Sequence, residues 1–223
     1  MSRKLGLGAI VGTLAASLMF ALAVTVSPAA DAHSGRGPDA AKAAALHDEM
    51  RRLWEDHIVW TRQFIVSAAT TSDNLADIGP TTDRLLANQA DIGDALKPFY
   101  GDVAGDQVTA LLRDHILTAA ALVAAAKAGD KASVEATSGA WYRNADDIAT
   151  ALNSLNPRHW PVDEMKAHMK DHLDLTLEEA VARLQGRYAD DIAAYDSIHI
   201  QILGMADMLS DGIIAQFPGT FAR

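Results

Sequence analysis

Beyond about residue 40, apolar side chains recur every three to four positions almost without interruption, and no segment alternates apolar and polar residues over a strand's length. That period belongs to amphipathic α-helices, whose buried stripe repeats at 3.6 residues. Breaks in the pattern fall where proline or glycine stands. Six helices are predicted, at about 40–71, 81–99, 103–128, 131–155, 161–185 and 187–216. Pro80 suits a first turn, Gly101, Gly129 and Gly186 suit stops, and Asn156-Pro157 and Pro218 end the fourth and sixth helices. The predicted fold is all-α: a six-helix bundle forming a single domain over 41–218, with a tail at 219–223.

The stripes are interrupted at corresponding places. "EDHIVW", "RDHILTA" and "KDHLDLT" put an acid, a histidine and an aliphatic residue together, with His57, His115 and His172 spaced 58 and 57 positions apart. Gly129 and Gly186, the stops after the second and third of these helices, also lie 57 apart. The alternate helices share another signature. "NQADIGDAL" matches "NADDIATAL", with Asn88 and Asn144, and Asp91 and Asp147, each 56 apart, and "YADDIAAYD" keeps Asp191-Ile192 but not the asparagine. The predicted architecture is therefore three degenerate helical hairpins with a period of about 57 residues, stacked as helical repeats are.

Helical projection sends His57, His115 and His172 into the apolar stripes, while Asp56, Asp114 and Asp171 turn about 100° away to the flank. Asn88 and Asn144 fall inside their stripes, with Asp91 and Asp147 on the adjoining edge. On the sixth helix the inward face is read as Tyr188, Asp191, Ile192, Tyr195, Ile198, His199 and Ile202. Polar groups at such positions cost several kcal/mol unless paired or ligated. Two readings stand. The histidines can hydrogen-bond asparagine or aspartate of neighbouring helices in a network that only fixes register. Alternatively, His57, His115, His172, Asp91, Asp147 and Asp191 can converge on a divalent transition metal (zinc, iron, manganese or copper) or a small polar ligand, with Asn88 and Asn144 orienting the imidazoles from behind.

Charge and composition narrow the field. The chain has 19 basic and 29 acidic side chains, a net charge of −10, which disfavours nucleic acid as a partner and favours cations. It has no cysteine, so neither disulfides nor thiol chemistry contribute. At the N-terminus, Arg3 and Lys4 precede an apolar run from residue 5 to 26, followed by a small-residue site at Ala30-Asp31-Ala32. This reads as a secretory signal peptide over 1–32 with a flexible leader at 33–40, which predicts a secreted or cell-surface protein with no membrane partner after cleavage. No later stretch is read as a membrane span.

Local motifs add little chemistry. "HMKDH" sets His168 and His172 four apart on one helical face, a chelating spacing, but Met169 stands where a zinc protease carries glutamate. Glu179 and His199 border the same faces and are secondary ligand candidates. There is no Gly-x-Ser-x-Gly elbow, no phosphate-binding glycine loop and no Glu-x-x-His pair of the di-iron bundles. The expectation is a binding protein, with a structural or interaction module as the alternative; a metal-dependent enzyme is a further extension with no motif behind it.

The ordered set "LWEDHIVWTRQFIVSA", "LLANQADIGDALKPFYG", "LLRDHILTAAALVAAAKAGD", "WYRNADDIATALNSLNP" and "YADDIAAYDSIHIQILGMADMLSDGI" resembles a family of largely uncharacterised secreted helical proteins of Gram-positive bacteria. Some of its members carry a glycosyltransferase label. The resemblance implies an all-α fold over about 53–217. The strands and acidic strand-end motif of a nucleotide-sugar domain are missing from this sequence, so the label implies no activity for it.

Overall fold

The computed structural model describes residues 38–70 and 73–221. The predicted signal segment and the leader up to residue 37 lie outside the described residues. The elements are α1 (Pro38–Ala69), α2 (Ile78–Tyr100), α3 (Asp102–Ala128), α4 (Lys131–Leu155), α5 (Val162–Leu184), α6 (Tyr188–Gln216) and a short α7 (Pro218–Phe221). The chain is all-α, and no strand occurs among the described residues. Helix α1 begins inside the predicted leader, and α7 occupies the predicted tail.

The helix ends follow the expected chemistry. Gly101, Gly129 and Gly186 take positive φ of 84°, 70° and 71°, a region that costs a residue with Cβ, and each sits where one helix hands over to the next. Asp130 then caps α4 by accepting from Ser133 N at 3.1 Å. Such short connections force neighbours antiparallel. Each main helix packs on its sequence neighbours and α1 also on α6, so the six close into a ring. Helix α1 additionally touches α3 and α5, which puts the odd-numbered helices nearest the axis.

The core is one large cluster running from Met50 and Leu53 through Ile92, Leu112, Trp141, Ile148 and Leu173 to Ile202 and Leu209. Two details correct the sequence reading. Tyr188 and Ile192, assigned to the inward face of α6, are 57 % and 54 % exposed, because the packed stripe of α6 runs instead through Asp191, Ala194, Ile198, Ile202, Met205 and Leu209. Also, α3 and α6 are long and apolar enough to cross a membrane by length and composition alone. Alanine and isoleucine raise their hydropathy, and both helices are members of the ring.

The crossing of α2 and α3 depends on missing side chains. A Cβ on Gly93 would stand 2.6 Å from the Gly105 carbonyl oxygen, and one on Gly105 would stand 2.7 Å from the Gly93 oxygen. Gly204 on α6 meets nothing within 4 Å. We expect Gly93→Ala to destabilise by about 1–3 kcal/mol through overpacking, and Gly204→Ala to stabilise by up to about 1 kcal/mol through helix propensity. Urea denaturation checks both; equal midpoints for the two variants would contradict the close packing of α2 on α3.

Candidate functional site

The three histidines are buried at one level of the bundle, His57 on α1, His115 on α3 and His172 on α5, at 3 %, 3 % and 4 % exposure. The rings of His57 and His172 lie 5.7 Å apart, centre to centre. A buried neutral imidazole needs one acceptor and one donor, and His115 has both. Its Nδ1 lies 2.8 Å from Asn144 Oδ1, and its Nε2 accepts from the Trp141 indole at 3.1 Å. The proton therefore resides on Nδ1. The Asn144 amide completes the link by donating to the Leu111 carbonyl, one turn before the histidine, at 3.1 Å.

The same scheme recurs between α5 and α6 with a glutamine. His172 Nδ1 faces Gln201 Oε1 at 3.1 Å, and Gln201 Nε2 donates to the His168 carbonyl at 3.0 Å, again one turn earlier. In both cases imidazole and amide are 29 positions apart. Between α1 and α2, Asn88 keeps the backbone half, donating to the Leu53 carbonyl at 3.0 Å, but its Oδ1 accepts from Gln89 at 3.1 Å instead of His57. Gln89 lies close enough to favour a charged His57, yet neither His57 Nδ1 nor Gln89 Oε1 has a partner in hydrogen-bond geometry.

Burial holds all three imidazoles neutral. It lowers His115 to about 3 and His172 to about 4, with the Asn144 and Gln201 amides pulling the other way, and it drives His57 well below its ordinary value, helped by the neighbouring histidines.

The carboxylates named as candidate ligands go elsewhere. Asp91 is at the surface, 3.6 Å from Arg84, and Asp147 is exposed. Asp191 is fully buried but belongs to an ionic cluster. Arg62 Nη1 reaches Glu179 at 2.6 Å and Asp191 at 2.8 Å, and Arg183 reaches Asp191 at 3.3 Å. Tyr195 and Tyr188 lie under the Arg62 and Arg183 guanidinium groups. Burial pushes Glu179 up to about 7, against the pull of Arg62. A cation beside Asp191 would face two guanidinium groups. His199 pairs with Glu55 at 2.9 Å near the surface, and His168 is half-buried, contributing its carbonyl to Gln201. Among the described residues no group of three or more histidine, aspartate and glutamate side chains is arranged to hold a metal ion. Asn144 does bond to a histidine, whereas Asn88 reaches only backbone and Gln89.

Sequence reasoning missed Gln201, Trp141 as an indole donor, and the space next to the histidines. One helical turn beyond each imidazole stand Thr61, Ala119 and Thr176, which with Trp141 begin a central cavity of about 100 Å³. Its walls are apolar: Phe64 and Ile65 from α1, Leu85 from α2, Leu122 and Val123 from α3, Val134 from α4, and Ala180 and Leu184 from α5. The Thr61 and Thr176 hydroxyls donate back to the carbonyls of His57 and His172 at 2.8 Å, so neither hydroxyl is left in need of a partner. Several lining residues, Phe64, Val134, Val181 and Leu184 among them, are only half-buried, so the space reaches toward the surface.

No family model, curated protein or solved structure matches this chain. The resemblance to the secreted helical family thus rests on the quoted motifs alone.

The neutral histidines set a pH dependence. Below 6.5 an unfolded histidine takes up a proton that folded His172 refuses until about 4, so the unfolded state binds more protons and stability falls as pH falls through that window. Glu179, raised from 4.5 to about 7, acts in the opposite sense between those values. Replacing His172 by glutamine should reduce the slope of stability against pH by about 1.4 kcal/mol per unit between pH about 6 and 4.5. Urea unfolding across that range checks it; parallel slopes for the two proteins would contradict the neutral, buried imidazole.

Proposed function

We propose that this is an exported helical-bundle binding protein that receives a small apolar ligand, or the apolar part of a larger one, in the central cavity beside the histidine layer. The carrying observation is the cavity itself, bounded by five helices and lined almost wholly by hydrocarbon. An apolar cavity of about 150 Å³ stays dry and takes up benzene, so a space of this order suits a few carbon atoms. Below it, the His115–Asn144 and His172–Gln201 pairs set the register of adjacent helices, which keeps the cavity in shape. Catalysis has less support: His115 and His172 are engaged with amides, Glu179 and Asp191 with arginines, and among the described residues no serine stands next to these groups.

Benzene provides the test on the full chain. Saturating benzene should raise the melting temperature, as any ligand of the native state does, and Ala119→Leu, which extends a side chain into the cavity, should remove most of that rise. No rise with the native sequence, or the same rise in the filled variant, would contradict the reading.

A second reading keeps a metal ion or small polar ligand at the histidine layer. It is favoured by the 5.7 Å approach of the His57 and His172 rings and by the unpartnered His57 Nδ1. It predicts that the protein retains a stoichiometric transition metal after exposure to zinc, copper, manganese and iron, that chelator lowers the melting temperature, and that His57→Ala removes both effects. Elemental analysis and thermal melts decide it, and protein free of metal with chelator-independent melting would end this reading.

A further inference from the structure

The central cavity has a neighbour. A groove of about 450 Å³ between the C-terminal part of α1, the start of α2 and the C-terminal part of α3 shares Phe64 and Val123 with it, so these two side chains are the partition between inner chamber and outer groove. The groove is lined mainly by hydrocarbon, with Ala68, Ile78, Ala120 and Ala124 beside the partition. Its charged lining residue is Lys127. The ammonium group donates to the Ala68 carbonyl at 2.6 Å and to Asn74 Oδ1 at 2.9 Å, both neutral acceptors. Three N–H donors and two neutral partners leave one donor over. Among the described residues no carboxylate lies within ion-pair distance of it, in a chain with 29 acidic side chains to 19 basic. Along α3 the lining runs from Ile116 deep inside to Lys127 at the outer end, a path of about 16 Å at 1.5 Å per residue.

A small apolar chamber, a mainly apolar groove continuing it and a cation at the far end together have the polarity of a single-chain amphiphile. Resting on the cavity reading above, we infer that the ligand is a straight-chain carboxylate, its hydrocarbon tail passing Phe64 and Val123 into the central cavity and its head group on the Lys127 ammonium. Charge complementarity selects the anionic head: Lys127 is the one charged residue of the groove lining, and it holds an N–H donor ready for an anion. Phe64, half-buried, is the side chain whose rotation would open the partition.

Dodecanoate and dodecanol, equal in tail and different in head, separate this inference from the reading it rests on. In calorimetric titrations of the full chain, below the concentration at which either probe aggregates, dodecanoate should bind about tenfold more tightly than dodecanol, the worth of one charge-assisted hydrogen bond. Lys127→Met should erase that ratio chiefly by weakening dodecanoate, and Lys127→Arg should restore it. Ala119→Leu should weaken both probes alike. Added salt should narrow the ratio. Equal affinities for the two probes, or a ratio untouched by Lys127→Met, would overturn the carboxylate assignment and leave the apolar cavity standing; Lys127 would then serve only to clasp the end of α1. Failure of both probes to bind the native sequence would overturn the cavity reading and this inference together.

Discussion

A buried imidazole has to be neutral, and a neutral imidazole has one nitrogen that donates and one that accepts. The architecture of this bundle follows from meeting that demand between helices. At His115 and His172 an amide from the next helix accepts the Nδ1 proton and with its other end donates to a carbonyl one turn before the histidine. An amide held at both ends fixes the sliding and the rotation of one helix against the other, which hydrocarbon packing alone specifies weakly. Leaving either half unmade would strand a buried polar atom at about 1–3 kcal/mol, so the register is defended from both sides.

Around that layer polarity changes abruptly. Arg62, Arg183, Glu179 and Asp191 form a balanced ionic cluster tying α1, α5 and α6 together, beyond the histidines on α1 and α5. Removing one member would leave a buried charge uncompensated, at about 3–5 kcal/mol. At the same end of these helices, starting a single turn beyond the histidines, the inner faces carry alanine, leucine, valine and two threonines whose hydroxyls are tied back to the helix. Small side chains at Ala119 and Ala180 leave the packing short of full density there, and the polar layer keeps the helices from closing the gap by sliding.

Much of this was legible in the chain. Helical period and glycine stops placed the main helices to within a few residues, and the buried histidines followed from projecting the stripes. The partner of His172 was misplaced because "YADDI" imitates the asparagine signature in letters, while the structural equivalent of Asn144 is Gln201, 57 positions on, the same spacing that separates His115 from His172. Trusting the spacing over the letters would have found it. Asp191 was drawn into the candidate ligand set for the same reason; a one-dimensional pattern shows that a carboxylate faces inward, but not that Arg62, 129 positions away, reaches it first. The cavity had no sequence signal at all, since a stripe of alanine and leucine reads the same whether its neighbours fill the axis or stop short of it.

The central claim is that the histidine layer is neutral and tied to neighbouring helices through the His115–Asn144 and His172–Gln201 pairs, and nitrogen NMR of isotope-labelled histidine reads it directly. At pH about 6, where a free imidazole is largely protonated, His115 should give the pair of shifts of a neutral ring with its proton on Nδ1 and a hydrogen-bonded bare Nε2. A protonated ring, or a proton on Nε2, would contradict the account.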